Sequence, residues 1–378
     1  MSKEAISFHK KLQGKIFVGS KIDKITEKNL QLIYTPGVAT VCNEIFKNRK
    51  TRYQLTAKGN NVAIITDGTR ILGLGDIGPD AALPVMEGKS VLYRKYGNIS
   101  AFPICLDTKD KDKIIETVKA ISPVFGAINL EDIESPKVLD ISKVLEEELD
   151  IPVFHDDRHG TSVVVLAALL NSLVLVKKKM AEVKIVIVGA GSAGYGIGNL
   201  LYFAGCKNII VLDSKGAIYK GREESMNKYK DEIAEFTNRE AKGHIDDVIA
   251  GADVFIGVSG IKNLLKSEMI KKMSQNPIVF ALTNPDPEIN PVLAKKAGAK
   301  IVATGSFSYE NKVNNALVFP YLMRAILDLK IQKITLDTLY AVSVAIAKTI
   351  PKNKLKEDNI IPEIGNKSLQ KRITNAIK

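Results

Sequence analysis

The sequence predicts an α/β protein of two domains, one built on a doubly wound parallel sheet and the other a mixed α/β domain. Its 378 residues suffice for two or three domains and a large core. After residue 183, continuous apolar runs alternate with helix-like stretches, which is typical of parallel strands buried on both faces. Before about residue 150, apolar runs mix with short helical stretches, which indicates the mixed domain.

In the first part of the chain, apolar runs at 61–66 and 124–130 are bounded by Gly, Asn or charged residues and are predicted as buried strands. Residues 136–149 carry apolar residues at helical spacing, with Pro136 in the first turn, and are predicted as a helix. The run 151–154 is predicted as a further strand, which leads into the loop HDDRHGT.

An apolar run at 162–176 is predicted as a buried helix. Its 15 residues are too few for the roughly 20 that a bilayer span needs, and they include the polar residues Asn171 and Ser172. Because the run is apolar on all sides, we expect it between layers of the core, and we predict no membrane partner. The chain after about residue 314 is predicted as helices that end in a basic tail.

The second domain is predicted from four apolar strands, at 183–189, 208–213, 253–259 and 278–282. A glycine turn and a helix at 195–205 follow the first of them. This alternation predicts a Rossmann-type, doubly wound sheet.

Composition narrows the function classes. Hydrophobic residues make up 45% and charged residues 25% of the chain, which excludes a wholly disordered chain and a polytopic membrane protein. The first 20 residues lack the apolar core of a signal peptide, and the three cysteines are scattered without a CxxC motif. No disulfide framework or structural zinc site follows, and we expect a cytoplasmic protein.

The net charge of +12 does not by itself predict a nucleic-acid partner. Lysine accounts for 45 of the 54 basic residues, these are spread along the chain, and there is no tryptophan. Nucleic-acid binders usually cluster Arg and Lys around aromatic residues. We expect a solvated, lysine-rich surface whose field attracts a small dicarboxylate.

A glycine fingerprint follows the strand 183–189 and opens a helix. In a GxGxxG turn, the first glycine permits the tight turn, the second lets a pyrophosphate approach and the third allows close helix–strand contact. The alternative is a glycine-rich turn in an ordinary sheet, but strand, turn, helix, second strand and acid all agree with dinucleotide binding. The predicted cofactor-binding residues of the turn are Gly189, Ala190, Gly191, Ser192, Ala193 and Gly194.

The choice between NAD and NADP depends on the end of the next strand. Asp213 lies 19 residues after Gly194, where an acid accepts from an adenosine ribose hydroxyl and repels a 2′-phosphate. Ser214 and Lys215 follow and offer partners for that phosphate. NAD is therefore favoured, with NADP as the alternative.

Two pairs of carboxylates directly follow predicted strands, namely Glu131 with Asp132 and Asp156 with Asp157. The carboxyl ends of neighbouring strands converge on one crevice, where such acids would repel each other unless a cation shared them. Oxygen donors favour Mg²⁺ or Mn²⁺, whereas capping and solvation explain most acidic pairs. Two pairs at strand ends favour the metal, and zinc binding by His155 and His159 is disfavoured.

Two further motifs leave alternatives open. Lys89 lies in EGKS, but a Walker A motif would need a glycine at Leu83, so a phosphate loop is rejected. Lys89 does lie near the glycine-rich stretch 72–79, although a surface lysine is the default. Tyr34 lies in the turn YTPGVA, where it is either a packed residue or a proton donor.

Together these segments resemble the malic enzymes, specifically the short bacterial type. The resemblance covers most of residues 20–325 in family order. The matching stretches are YTPGVA (34–39), TDGTRILGLGDIGPDAALPVMEGKSVLY (66–93), INLEDIESPK (128–137), IPVFHDDRHGTS (151–162), VGAGSAG (188–194), TNPDPEI (283–289) and VNNALVFP (313–320).

The resemblance implies oxidative decarboxylation of malate to pyruvate and CO₂ with a divalent metal and NAD(P), and decarboxylation of oxaloacetate as well. It implies Tyr34 as proton donor, Lys89 as base and Asp156 beside Lys89. It implies the metal ligands Glu131, Asp132 and Asp157, and the substrate contacts Lys89, Arg70, Asn315 and Asn284, the last of which also contacts nicotinamide. A base must be neutral, so a cation beside Lys89 is expected to lower its pKa.

The resemblance also implies how the chain is divided. Residues 1–157 with the C-terminal helices 315–378 are expected to form the catalytic and metal-binding domain, residues 158–314 the dinucleotide domain, and two chains a homodimer. Two places depart from the family pattern: Arg158 replaces a common Gln, and the run 306–312 is unusual.

Three other functions compete. An NAD(P)-dependent dehydrogenase of 2-hydroxy or 2-amino acids would share the fold without decarboxylation. A non-catalytic paralogue would share it without activity, although the intact Tyr34, Lys89 and carboxylates argue against that. A nucleic-acid-binding module comes third.

Overall fold

Two β-sheets organise the chain in a computed structural model that describes residues 2–237 and 240–378. The first sheet is parallel throughout and has the strand order β2-β1-β3-β4. Its strands are β1 (Asn61–Thr66), β2 (Ser100–Cys105), β3 (Ala127–Leu130) and β4 (Val153–His155). The strand predicted at 124–130 begins later, because residues Ser122–Val124 form a 3₁₀ turn around Pro123. Strand β2 was not predicted from the sequence.

An N-terminal arm, residues 2–56, precedes this sheet. Its helices are α1 (Ser2–Leu12), α2 (Glu27–Ile33), α3 (Gly37–Lys47) and α4 (Arg52–Leu55). Large apolar side chains of the arm face outward, among them Phe17 and Phe46, each 91% exposed. A contact to the following domain comes from Lys15, whose backbone N–H donates to Glu87 Oε2 at 3.1 Å. The arm therefore presents an apolar surface on the single chain.

Three helices pack on the first sheet, namely α5 (Gly78–Gly97), α6 (Lys111–Ile121) and α7 (Lys137–Glu148). Helix α7 confirms the helix predicted at 136–149. A short π-helical turn, Asp156–Gly160, then follows β4 directly. This turn carries two of the predicted site carboxylates.

The predicted buried helix is α8 (Thr161–Val176), and it packs against other helices rather than facing solvent. Residues Asp156–Val176 are long and apolar enough to cross a membrane, but 78% of the most apolar part is buried inside the protein. Its polar residue Asn171 is satisfied internally, because its amide donates to the carbonyls of Ala347 and Ile360 at 3.0 and 2.9 Å. The stretch is thus the core helix that the sequence predicts.

The second sheet has the order β10-β9-β8-β5-β6-β7. Its strands are β5 (Lys184–Val188), β6 (Asn208–Asp213), β7 (Gly216–Ala217), β8 (Val254–Gly257), β9 (Ile278–Ala281) and β10 (Ile301–Thr304). All pairs are parallel except β6–β7, so the sheet is mixed at one edge. The strand order reverses direction between β5 and β8, which is where open α/β sheets bind ligands. The predicted α/β class with a doubly wound sheet is confirmed.

Helices cover the second sheet and complete the chain. Those of the second sheet are α9 (Ser192–Phe203), α10 (Lys228–Phe236), α11 (Ile245–Val248), α12 (Ser267–Lys272) and α13 (Pro291–Lys296). The C-terminal helices are α14 (Phe319–Leu329), α15 (Leu336–Ala347) and α16 (Leu369–Ala376). Helix α14 packs against α5, so the C-terminal segment returns to the first sheet.

Candidate active site

A buried lysine and acidic residues meet at the carboxyl ends of β3 and β4. These two strands are neighbours, so the acids that follow them come to one edge of the sheet. The ammonium of Lys89, on α5, lies 2.5 Å from Glu131 Oε2 and also pairs with Asp156. Asp156 is 0% exposed, and Lys89 and Glu131 are 6% and 8% exposed. The structure thus brings together three side chains that the sequence singled out.

Further buried side chains fix Glu131 in place. The amide of Asn129 donates to Glu131 Oε2 at 3.0 Å, and the hydroxyl of Tyr93 donates to Asn129 Oδ1 at 2.6 Å. On the other side, the Lys89 ammonium lies 4.3 Å from the ring centroid of Phe319. Sequence reasoning missed these supporting residues, although INLED placed Asn129 beside the acids.

The cluster carries an excess of negative charge. Burial and the charges of Glu131 and Asp157 raise the pKa of Asp132 well above its usual value. Burial and Glu131 also raise the pKa of Asp157, to about 6, against the opposing effects of Lys89 and Arg70. Asp132 itself has a φ of 49°, a backbone conformation that Asp tolerates better than most residues. Four carboxylates around one lysine therefore favour the binding of a further cation.

In the protein without a bound cation, the pKa of Lys89 is raised by the carboxylates around it. Burial lowers this pKa, but the carboxylates of Asp156 and Glu131 outweigh burial, so the pKa lies above its usual value. Burial raises the pKa of Asp156 to about 7, against the opposing effect of Lys89. In the protein alone, Lys89 is therefore protonated, and the lowered pKa expected for a base requires an added positive charge.

The carboxylate oxygens of the cluster are ligands of the type that a hard divalent cation prefers. They are farther apart, however, than the ligands of an assembled metal site. Asp156 Oδ1 is buried and has no hydrogen-bond partner, which marks an unsatisfied oxygen at the cluster. Among the described residues, no three His, Cys, Asp or Glu side chains are grouped closely enough to hold a metal. The carboxylates thus fit Mg²⁺ or Mn²⁺ as ligands, but the chain alone does not assemble them.

His155, at the end of β4, and His159, in the turn, do not form a zinc site. His159 accepts from Arg158 Nε at 2.8 Å, and Arg158 also pairs with Glu146 on α7 at 2.8 Å. Both ring nitrogens of His155 are buried without a hydrogen-bond partner, and burial holds the pKa of His155 well below its usual value. Arg158, which departs from the family pattern, therefore connects the turn Asp156–Gly160 to α7.

The glycine fingerprint of the second sheet lies next to the loop that follows β3. A Cβ atom on Gly194 would lie 1.8 Å from the carbonyl oxygen of Gly189, so only glycine permits this contact between helix α9 and the turn. A Cβ atom on Gly191 would lie 3.8 Å from the Cβ of Ser135, which follows β3. The turn therefore opens toward the first domain.

Asp213 lies at the end of β6 as predicted, and the chain's own donors occupy both of its oxygens. Oδ1 accepts from the Lys215 backbone N–H at 2.8 Å and from Arg222 Nη1 at 2.9 Å. Oδ2 accepts from Lys230 Nζ at 2.7 Å and from Arg222 Nη2. Burial raises the pKa of Asp213, but Arg222 and Lys230 outweigh it and lower the pKa to about 2. Arg222 and Lys230 were not predicted from the sequence as partners of Asp213.

Two of the predicted substrate residues, Arg70 and Asn284, lie where loops of the two sheets meet. Arg70 is exposed, its backbone N–H donates to the Asp132 carbonyl at 3.0 Å, and its guanidinium lies beside Gly260 of the second sheet's loops. Asn315 lies beside the catalytic turn, because a Cβ atom on Gly160 would be 3.1 Å from the Asn315 Cβ.

Asn284 lies in the loop after β9. A Cβ atom on Gly73 would lie 3.3 Å from the Asn284 carbonyl oxygen and 2.8 Å from Pro285 Cδ. This loop therefore touches the glycine-rich stretch of the first domain. Tyr34, in contrast, is 68% exposed on the N-terminal arm, so the single chain does not bring it into the buried cluster.

The fold and this cleft are those of a dinucleotide-dependent oxidoreductase. Residues 159–377 match the family profile described as malic enzyme, NAD binding domain, and residues 13–146 match malic enzyme, N-terminal domain. The chain therefore belongs to the malic enzyme family, which oxidatively decarboxylates malate with NAD or NADP. The family expected from the motifs is confirmed.

Similar proteins support this assignment over nearly the whole chain. The NAD-dependent malic enzyme of Geobacillus stearothermophilus is 50% identical, over 96% of this chain and 76% of that protein. The bifunctional malic/malolactic enzyme of Bacillus subtilis is 47% identical, over 100% of this chain and 92% of that protein. The crystal structure of NAD-dependent malic enzyme from Thermotoga maritima superposes with a TM-score of 0.95 at 45% identity, covering 99% of this chain and 98% of that one. Other relatives are named NADP-dependent malic enzymes.

Proposed function

We propose that malate is oxidised and decarboxylated at the Lys89–carboxylate cluster, with Lys89 as the base for the C2 hydroxyl. The observation that carries this proposal is the contact of one buried ammonium with both Glu131 and Asp156. The fingerprint turn supports it, since Gly191 lies next to Ser135 in the loop that follows Glu131. A base in hydrogen-bond reach of a bound hydroxyl, beside a nicotinamide, is what hydride removal requires.

Asp156 supports the proton transfer. Lys89 must lose a proton before it can accept one from malate, and Asp156 is hydrogen-bonded to it. Since burial raises the pKa of Asp156 to about 7, Asp156 accepts a proton near neutral pH. Lys89 can thus transfer a proton to Asp156, which leaves Lys89 neutral next to the substrate.

Glu131, Asp132 and Asp157 are the residues that would hold Mg²⁺ or Mn²⁺. Burial, together with repulsion from neighbouring carboxylates, raises the pKa values of Asp132 and Asp157, which supports a cation at this place. When bound, the ion supplies positive charge for the oxygen anions that develop on the substrate. The chain's contribution is to present three hard oxygen ligands next to Lys89.

Arg70 and Asn315 are proposed to hold the substrate carboxylates, and Asn284 to contact substrate or nicotinamide. Arg70 supplies a planar guanidinium at the opening of the cleft, which suits a carboxylate. Tyr34 is proposed to protonate C3 after CO₂ has left. Oxaloacetate enters the same scheme after the oxidation step, so its decarboxylation is proposed as a second activity.

NAD is proposed as the preferred cofactor, with NADP as an alternative that the charges around Asp213 permit. The Asp213 carboxylate disfavours a 2′-phosphate, but Arg222 and Lys230 neutralise it. The three groups together carry a net charge of +1, so Asp213 is a weaker barrier to NADP than a free acid would be.

A homodimer is proposed from the exposed N-terminal arm. Apolar side chains of α1–α3 and the segments between them lack cover on the single chain, as Phe17 and Phe46 show. Exposed apolar surface of this extent marks a protein interface. The division into a catalytic domain, 1–157 with 315–378, and a dinucleotide domain, 158–314, is also proposed, as is a cytoplasmic location.

One assay tests the function. Malate is supplied with Mn²⁺ and either NAD or NADP, and both reduced cofactor and released CO₂ are measured. The proposal requires equal amounts of reduced cofactor and CO₂. Reduction without CO₂ would indicate a dehydrogenase that does not decarboxylate, and neither product would indicate a non-catalytic relative.

A further inference from the structure

Glu288 is a fully buried carboxylate away from the lysine–carboxylate cluster. It is 0% exposed, and no lysine or arginine in the described part of the chain forms an ion pair with it. Its Oε1 accepts from the backbone N–H of Ser259 at 3.1 Å, the hydroxyl of Ser259 at 3.2 Å and the hydroxyl of Thr283 at 2.5 Å. Its Oε2 accepts from the Thr283 N–H at 3.2 Å. Neutral donors alone thus offset the burial of this side chain.

These donors belong to two different loops, which follow β8 and β9 at the carboxyl edge of the second sheet. The Ser259 hydroxyl also accepts from the Ile261 N–H at 3.1 Å, and the Thr283 hydroxyl accepts from the Gly260 N–H at 3.0 Å. The Glu288 carboxylate orients both hydroxyls, and each hydroxyl in turn accepts a hydrogen bond from a backbone N–H. The carboxylate therefore stabilises the conformation of both loops.

Each loop contacts a part of the proposed active site. A Cβ atom on Gly189, the first fingerprint glycine, would lie 2.5 Å from the Val258 carbonyl oxygen, so the β8 loop packs directly on the fingerprint turn. The β9 loop continues from Thr283 into Asn284. Glu288 thus joins the turn that holds the pyrophosphate to the residue proposed to contact nicotinamide.

Gly257, the last residue of β8, leaves space for the Glu288 side chain. A Cβ atom on Gly257 would lie 2.4 Å from Glu288 Cδ, which is closer than atoms approach without a shift. Glycine at this position therefore allows the carboxylate to lie beneath both loops.

We propose that Glu288 is a positioning residue, which clamps the β8 and β9 loops so that the fingerprint turn and Asn284 hold the dinucleotide in one orientation. The role rests on the proposed function of Asn284 and of the fingerprint, and it acts through the two loops rather than on the reacting atoms. Removing the clamp is expected to lower dinucleotide affinity and the rate of hydride transfer together.

The test is Glu288→Gln, which keeps the shape but places an amide donor against either Thr283 N–H or the three donors at Oε1. We expect the dissociation constant for NADH, measured by its fluorescence in the absence of malate, to rise by about tenfold, as for one or two lost hydrogen bonds. We expect kcat to fall by about 10- to 100-fold, since small displacements of reacting groups cost this much. The KM for malate should change less than kcat.

The matched control is Asp253→Asn at the opposite end of β8. Asp253 also joins separate segments, since it accepts from Lys178 Nζ and Ser274 Oγ at 2.6 Å each and from the Lys184 N–H at 2.8 Å. This control should lower the melting temperature and leave NADH affinity and kcat unchanged. If Glu288→Gln does the same as the control, the positioning role is wrong.

A pair of variants at Thr283 tests the proposal if Glu288→Gln fails to fold. Thr283→Val removes the hydroxyl and should reproduce the loss of NADH affinity, whereas Thr283→Ser keeps it and should recover most of that affinity. Equal NADH affinities for the Val and Ser variants would overturn the proposal. Since NADH binding is read without malate, a wild-type protein that binds NADH but does not turn over malate would refute the proposed function alone.

Discussion

The ammonium of Lys89 and the carboxylate of Asp156 form a buried ion pair at the end of β4. Glu131 adds a second carboxylate to the same ammonium at 2.5 Å. The carboxylates of Asp156 and Glu131 keep the pKa of Lys89 above its usual value against the effect of burial, so Lys89 holds its proton in the protein alone. If Lys89 is the base, as proposed, substrate and cation binding have to shift this proton away from Lys89.

The first prediction separates oxidation from decarboxylation. Lys89→Ala should lower malate oxidation by about 10²- to 10⁴-fold, the usual contribution of a general base. Oxaloacetate needs no oxidation, so its decarboxylation should be spared to a larger degree. Both rates are measured on protein first shown to bind metal and NAD(P), because a folding defect would lower both. Equal losses with the two substrates would contradict the assignment of Lys89 to the oxidation step.

The second prediction concerns the metal. Excess EDTA should abolish turnover, and Mn²⁺ or Mg²⁺ should restore it, whereas Zn²⁺ should substitute poorly for an oxygen-only ligand set. Asp157→Asn should remove both metal dependence and activity, and titration calorimetry should show weaker Mn²⁺ binding. Full activity in excess EDTA would exclude the proposed metal role of the cluster.

The fold, the meeting of the two acidic pairs and the place of Asp213 could be predicted from the sequence for a physical reason. Strand ends of a parallel sheet meet at one edge, so two acidic pairs after β3 and β4 had to come together. Asp213 likewise follows from its place after a strand. Arg222 and Lys230 could not be found this way, because they lie 9 and 17 residues beyond Asp213 in a chain with 45 lysines.

Other residues depend on contacts that no periodic pattern encodes. Glu288 is one acid in a polar loop, and its burial depends on a glycine 31 positions earlier in the chain, Gly257. The position of Tyr34 depends on the packing of an arm whose apolar faces have no cover within one chain. The residue that permits the burial of Glu288 is distant in sequence. The surface that would cover the arm of Tyr34 lies outside the single chain.

The third prediction concerns cofactor choice. NAD should give the higher kcat/KM, because Asp213 still disfavours a 2′-phosphate. Lys215→Ala and Lys230→Met should each lower kcat/KM for NADP more than for NAD, since each removes positive charge near that phosphate. Asp253→Asn, on the opposite edge of the sheet, should leave the ratio unchanged. Equal losses for both cofactors would show that these lysines do not contact the phosphate.

The fourth prediction concerns acid stability. The pKa of Asp213 is lowered from the usual 3.8 to about 2, so its ionised form stabilises the fold above pH 3.8 and this contribution is lost as the pH falls toward 2. Asp213→Asn should lower the free energy of unfolding by about 1 kcal/mol at pH 5, after allowance for solvent screening. The difference from wild type should shrink at pH 3, as urea titrations at both values can show. A difference that stays constant over this range would contradict the role of the ion pairs.

The fifth prediction concerns the chain from which Tyr34 acts. Tyr34 is 68% exposed while Lys89 is buried, and the arm that carries Tyr34 presents uncovered apolar side chains. In a homodimer, the arm of one protomer can therefore supply Tyr34 to the site of its partner. Tyr34→Phe and Lys89→Ala are expected to be nearly inactive as separate proteins, with the Tyr34 loss masked in part by spontaneous ketonisation of enolpyruvate.

Mixing the two variants distinguishes the arrangements. If Tyr34 acts across the dimer, half of the dimers are mixed, and each mixed dimer contains one site with an intact Lys89 and an intact Tyr34 from the partner. Equal amounts of the two, unfolded together and refolded, should then recover about a quarter of wild-type activity, as two-fold symmetry requires. If Tyr34 serves its own chain, no mixed dimer has a complete site and activity stays at the level of the single variants. A refolded mixture of Lys89→Ala with itself controls for the procedure. Wild-type turnover by Tyr34→Phe alone would instead refute the proton-donor role and leave Tyr34 as a packed residue of its turn.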